Sequence, residues 1–99
     1  MEIKTLRTGS ELVIALEGRL DTITAPQFEA EINKGLDGVN SLIIDLKKLD
    51  YISSAGLRVL LKAQKIMLKQ GSMTVKNLSQ ELKDIFEVTG FNDILNIED

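Results

Sequence analysis

The run Leu42-Ile43-Ile44-Asp45-Leu46, followed closely by a polar turn and then a helical pattern, limits this chain more than any other stretch. A short, nearly continuous apolar run suits a central strand covered on both faces of a parallel sheet, and a parallel strand requires a crossover helix. The turn from Asp50 through Tyr51, Ile52, Ser53, Ser54, Ala55 and Gly56 leads into that helix. Beyond it Leu57, Leu60, Leu61, Gln64, Met67 and Leu68 fall on one arc, with Arg58, Lys62, Lys65 and Lys69 on another. Val59 and Ile66 flank the apolar arc, either exposed or packed against a neighbouring helix. Gln70-Gly71-Ser72 ends the helix.

The other elements follow from the same rules. Glu2 to Leu6 alternates weakly, Thr8-Gly9-Ser10 is turn chemistry, and Glu11 to Leu16 is a stronger apolar run closed by Gly18, so a hairpin is expected. Thr24-Ala25-Pro26-Gln27 reads as a helix start, with threonine at the N-cap, glutamine three residues on and proline in the first turn. Ala25, Phe28, Ile32 and Leu36 keep the helical period, and Gly35 and Gly38 can end it. Met73-Thr74-Val75 is a short strand, and Leu78-Ser79 opens a third helix with Leu82, Ile85, Phe86 and Thr89 on one face. Gly90 followed by Phe91 predicts a left-handed cap with an apolar contact behind it. Leu95 and Ile97 allow an edge strand before the acidic Glu98-Asp99.

The resulting order, β-β-α-β-α-β-α, predicts a single α/β domain over residues 1–99: a mixed β-sheet of about four to five strands with helices packed on it. Loops at the carboxyl ends of such strands are where ligands and partners meet, which gathers Leu20-Asp21-Thr22 with Asp50 to Gly56. Composition narrows what that end can do. A net charge of −3, with 12 basic and 15 acidic residues intermixed, supplies no positive field for nucleic acid and no polybasic lipid anchor. Cysteine and histidine are absent, which removes Ser-His and Cys-His catalysis and nearly all zinc chemistry. No cofactor is expected. Without a signal-peptide core or an apolar run of about 20 residues, no membrane insertion is expected and the chain reads as cytoplasmic.

Ser53 and Ser54 stand where a helix begins, a place that favours a capping hydroxyl and equally an anion. One serine suffices for capping. The small Ala55 and Gly56 that follow suggest a turn left open to another surface, where a stronger helix former would have added stability. Asp21, Asp45 and Asp50 could form an acid–base pair or hold Mg²⁺, but Asp50 reads as a turn residue and Asp21 as a loop residue before a helix. Asp21 could still help position the serine loop. The basic stripe is either an ordinary solvated face or a surface for an acidic partner.

These stretches resemble the STAS domain family, specifically bacterial anti-sigma factor antagonists, over essentially the whole chain. Gly18-Arg19-Leu20-Asp21-Thr22-Ile23-Thr24-Ala25-Pro26 is similar to the family's G-x-L-D-x-x-T/S-A segment, and Leu42 to Leu46 to its central strand with aspartate. Asp50 to Leu57 is similar to its D-S-S/T-G-L turn, and Leu78-Ser79 to Phe91 to its last helix and glycine. The resemblance implies a STAS-type fold and no enzyme activity. It further implies that the dephosphorylated form binds an anti-sigma factor with serine-kinase activity, releasing sigma factor, until phosphorylation ends the contact. A PP2C-type phosphatase would restore it.

Aligned on Gly56, Ser54 occupies the family's phosphorylated position, Ser53 that of its aspartate and Ala55 that of its second hydroxyl residue. Ser53 is the second-choice acceptor. The partner surface expected on this basis is Asp21, Thr22, Ser53, Ser54, Ala55, Gly56, Leu57, Arg58 and Lys62. Loss of the aspartate at Ser53 departs from the pattern, and some family members lacking the full motif serve as unphosphorylated adaptors, so the alternative reading is an adaptor subunit of a transporter or signalling complex. Oligomeric state and the identity of the sigma factor are left open.

Overall fold

The computed structural model describes residues 1–98; Asp99 lies outside the described residues. A hairpin of β1 (Glu2–Thr8) and β2 (Glu11–Leu20) leads through α1 (Ala25–Gly35) to β3 (Ser41–Ile52). Then come α2 (Ser54–Leu68), β4 (Ser72–Lys76), α3 (Gln80–Val88), a 3₁₀ turn over Phe91–Asp93, and β5 (Asn96–Glu98). The element order is the one expected. The strands lie in the sheet in sequence order, β1 antiparallel to β2 and every later neighbour parallel. The β3 strand is therefore central, as expected from Leu42 to Leu46.

The helices cover one face only. Leu42, Ile44 and Leu46 of β3 are buried with Leu12, Ile14 and Leu16 of β2 and with Met73 and Val75 of β4. Ile43 and Asp45, on the alternate face, are only half-buried, which corrects the expectation of a strand covered on both sides. Register explains why the run is nonetheless so apolar: Ile43 lies between Val13 and Thr74 on the adjacent strands and is shielded sideways by them. The core beneath the helices takes Phe28 and Ile32 from α1, Leu57, Leu60, Ala63 and Met67 from α2, and Leu82 and Phe86 from α3.

The buried arc of α2 is rotated toward α1 relative to the one read from the sequence. Val59 is buried and Ile66 packs against the core, while Leu68 is 70% exposed. Val59 shares a cleft with Ala25, Pro26 and Glu29 of α1, so helix–helix packing accounts for that residue. At the end of α3, Gly90 adopts φ 78°, the left-handed cap expected there, and Phe91 meets Phe86 edge-on at 6.2 Å between ring centroids.

Gly71 is needed for a different reason, a close approach between α2's end and the start of β3. The Ser72 amide donates to the Asn40 carbonyl at 3.0 Å, and a Cβ at Gly71 would overlap that same Asn40 backbone. The β3–β4 register starts there, at Ser41 beside Ser72. Gly71→Ala is expected to destabilise the protein by about 1–3 kcal/mol through backbone displacement, measured by urea unfolding. An unchanged midpoint would show that the turn relaxes freely.

Candidate functional site

The carboxyl ends of β2 and β3 run further than the sequence suggested, and this brings the site together. The ladder continues past Gly18 and Leu46 to pair Leu20 with Ile52, with register shifts between Ala15 and Glu17 and between Gly18 and Arg19. Asp50, expected in a turn, is instead the extra residue of β3 at the second shift, since Leu49 pairs with Gly18 and Tyr51 with Arg19. Asp45 serves the first. Its Oδ1 accepts from the Lys47 amide and from Asn77 Nδ2, each at 3.0 Å, satisfying a backbone donor near the irregularity and tying it to the loop after β4.

Beyond Leu20, Asp21 organises the turn into α1. Its Oδ1 accepts from the amides of Ile23 and Thr24, each at 3.0 Å, while Thr24 Oγ1 accepts from the Asp21 amide at 2.9 Å and donates to the Arg19 carbonyl at 2.7 Å. Thr24 occupies the N-cap position, but its hydroxyl makes no cap bond. Gln27 does not reach back to it either and donates to the Met1 carbonyl. The nearby carboxylate offers the loop amides a stronger acceptor than a hydroxyl. These bonds hold the Asp21 carboxyl below its usual 3.8: chiefly the Thr24 amide, then, against some desolvation, the Ile23 amide, the Thr24 hydroxyl and Arg19.

The serine turn is suspended from the same strand ends. The Ser53 amide donates to the Leu20 carbonyl at 2.9 Å, continuing the ladder by one bond, and the Ser53 carbonyl accepts from Leu57 to begin α2. Gly56 is buried, and a Cβ there would stand 2.6 and 2.8 Å from Leu20 side-chain carbons and 2.9 Å from Ile52 Cγ1. Its smallness therefore serves inward packing, not the outward access read from the sequence. Leu57 is likewise buried.

The two hydroxyls separate cleanly. Ser54, the first residue of α2, is exposed. Ser53 Oγ is buried, makes no cap bond and has no hydrogen-bond partner among the described residues. Thr22, Ala55, Arg58 and Lys62 line one cleft of about 390 Å³ between the starts of α1 and α2, and Lys62 Nζ bridges to Glu29 at 3.1 Å. All the expected surface residues thus converge on one end, although Ser53 Oγ, Gly56 and Leu57 support it from inside. Sequence reasoning missed Ile23, which is 87% exposed beside Thr22, and Tyr51, whose ring lies 4.2 Å from the Arg19 guanidinium. An isolated isoleucine in a polar loop was the available signal for the first; assigning Asp50 to a turn hid the face of Tyr51.

The STAS domain family model matches residues 2–99, and the chain belongs to that family. It is 39% identical over 99 residues to the Bordetella bronchiseptica protein BtrV, covering 98% of this chain and 85% of that one, and 32% identical over 98 residues to the Bacillus subtilis anti-sigma-B factor antagonist, covering 98% and 90%. The fold is also that of SpoIIAA, at 20% identity. The match to its unphosphorylated form has a TM-score of 0.77 and covers 99% of this chain and 88% of that one. Its phosphorylated form, from Bacillus, gives 0.76, covering 99% and 92%. Among the described residues no helix is long and apolar enough to cross a membrane.

Two outcomes test this geometry. Ser79 Oγ accepts from the Leu82 amide, so Ser79→Ala should cost about 1 kcal/mol, whereas Ser53→Ala, which removes no bond, should change stability by less than about 0.5 kcal/mol in the same urea titration. Asp21 supplies a pH test. Folding lowers its pKa, so its contribution is complete above the unfolded value and disappears as pH falls through the lower folded value. The stability gap between wild type and Asp21→Asn should narrow as pH falls below the usual carboxylate value of 3.8; a constant gap would place its stabilising role outside the charge.

Proposed function

We propose that this chain is an anti-sigma factor antagonist whose serine turn seats an anti-sigma factor with serine-kinase activity, and whose off state is phosphorylated at Ser54. The observation that carries this reading is the contrast between the exposed hydroxyl of Ser54 and the inward, enclosed Ser53 Oγ on the same rigid turn. A kinase reaching the turn meets one accessible acceptor. Thr22, Ser54 and Arg58, with partly exposed Asp21, Ala55 and Lys62, form the contact surface. The names of the relatives support the class of partner, and the two solved forms of SpoIIAA support a phosphorylated state in a protein of this fold.

Magnitudes place the effect in binding, not folding. A phosphate adds about −1.5 to −2 charges, while an exposed helix N-terminus gains only about 0.3–1 kcal/mol from an anion. The fold tolerates the group. Buried against a partner with no matching cation, the same charge costs several kcal/mol to desolvate, equivalent to about a hundredfold or greater loss of affinity. A PP2C-type phosphatase would reset the turn by removing the group.

Parallel capture from a lysate of the source cell with Ser54→Ala and Ser54→Asp baits tests the switch. An ATP-binding anti-sigma kinase recovered by the alanine bait and depleted on the aspartate bait, together with a phosphopeptide carrying the group on Ser54 of the wild-type chain, is the expected result. Equal recovery on both baits would sink the switch and favour an adaptor role indifferent to charge at this position.

A further inference from the structure

The outer face of α2 carries Arg58, Lys62, Lys65 and Lys69 at i, i+4, i+7 and i+11, around a trough of about 480 Å³ flanked by Leu61 and Ile66. Elsewhere most cations are paired: Lys4 and Lys48 reach Glu17 at 3.2 and 3.8 Å, Lys34 reaches Glu31 at 3.3 Å, and Lys76 reaches Glu98 at 3.4 Å, while Arg7 bonds the Gly9 and Asp37 carbonyls and the Lys47 ammonium stands singly among the described residues. On this stripe Lys62 meets Glu29, but Arg58, Lys65 and Lys69 have no carboxylate within ion-pair reach among the described residues. Like charges three and four residues apart on a helix repel, so the stripe lowers the stability of the free protein slightly and gains when an anionic surface covers it.

We infer that this trough is a docking surface for an acidic amphipathic helix of a partner protein, seating apolar side chains against Leu61 and Ile66 and carboxylates against Arg58, Lys65 and Lys69. From Arg58 to Lys69 the stripe runs about 16 Å, the length of three helical turns, and its charge is confined to a line instead of spread over a face. A line of cations flanked by aliphatic side chains matches a helix with an apolar seam and acidic shoulders. The net charge of −3 on the whole chain disfavours a polyanion that would also meet the remaining surface. The inference stands without the phosphorylation reading, because no part of it uses Ser54. A partner held at the serine turn would nevertheless find this second contact one turn further along α2.

The test uses the full chain, ¹⁵N-labelled, titrated with a synthetic helix of about 18 residues that carries leucine at i, i+3, i+4 and i+7 spacing and glutamate on both flanks. A scrambled peptide of the same composition and anionic phosphatidylglycerol vesicles form the other arms. Expected are amide shifts concentrated between Arg58 and Gln70, weaker binding as salt rises from about 50 to about 300 mM, and affinity at least about tenfold lower for Lys65→Glu/Lys69→Glu and for the scrambled peptide. If the charge-reversed variant unfolds, Lys65→Gln/Lys69→Gln serves instead, with loss again expected. Equal binding of the scrambled peptide, undiminished affinity of the variants, shifts centred off α2, or binding to vesicles alone would each overturn the assignment.

Discussion

The pairing of Leu20 with Ile52, at the far end of the β2–β3 ladder, is the contact from which the candidate site is hung. Both side chains are buried, and both press against the position where a Cβ of Gly56 would stand. Because that Cβ is missing, the first turn of α2 settles directly on the two strand ends, and the Ser53 amide finds the Leu20 carbonyl. A wider separation would leave that amide without its backbone partner and tilt the helix start away from the sheet. The loop from Asp21 to Thr24 is fastened to the same strand end by its own bonds, so α1 and α2 begin side by side. The surface around Ser54 is thus built on sheet and helix termini, with little freedom of its own.

Most of the architecture was readable because it rests on local periodicity. Element order, the central position of Leu42 to Leu46, the left-handed Gly90 and the Phe91 contact behind it all follow from patterns a few residues long. What escaped the sequence depends on neighbours distant along the chain. Ile43 looked like a residue covered by a second layer, yet its shielding comes from the strands beside it. Asp50 carries turn chemistry and sits at a bulge, where a strand's backbone departs locally from its ladder. The rotation of α2 toward α1 depended on how two helices share the sheet, which the hydrophobic arc alone did not specify.

At the site the sequence located the right end of the molecule and left the division of labour open. Two adjacent serines before a helix are indistinguishable by type; their environments differ because one side chain turns toward the core and the other outward. Gly56 was read for what it exposes and proves to matter for what it admits. Asp21 and Asp45, weighed with Asp50 for acid–base chemistry, are each engaged by backbone amides at separate irregularities of the chain. Their placement gives them the work of holding loops. The relation of carboxylate to amide is a matter of angstroms, and no residue spacing encodes it directly.

The strand order has a consequence for how the chain acquires its form. Each strand after the first lies beside the one made immediately before it, from β1 at one edge to β5 at the other. During synthesis from the amino terminus, every new strand therefore emerges with its template already present, and no edge has to wait for a segment still to be made. Apart from the fixed edge at β1, only the growing edge is unpaired at any stage, and the crossover helix preceding the next strand arrives in time to cover the newly completed face. An assembly of this kind can proceed by accretion, with loop closure confined to successive short steps in place of a single long-range search.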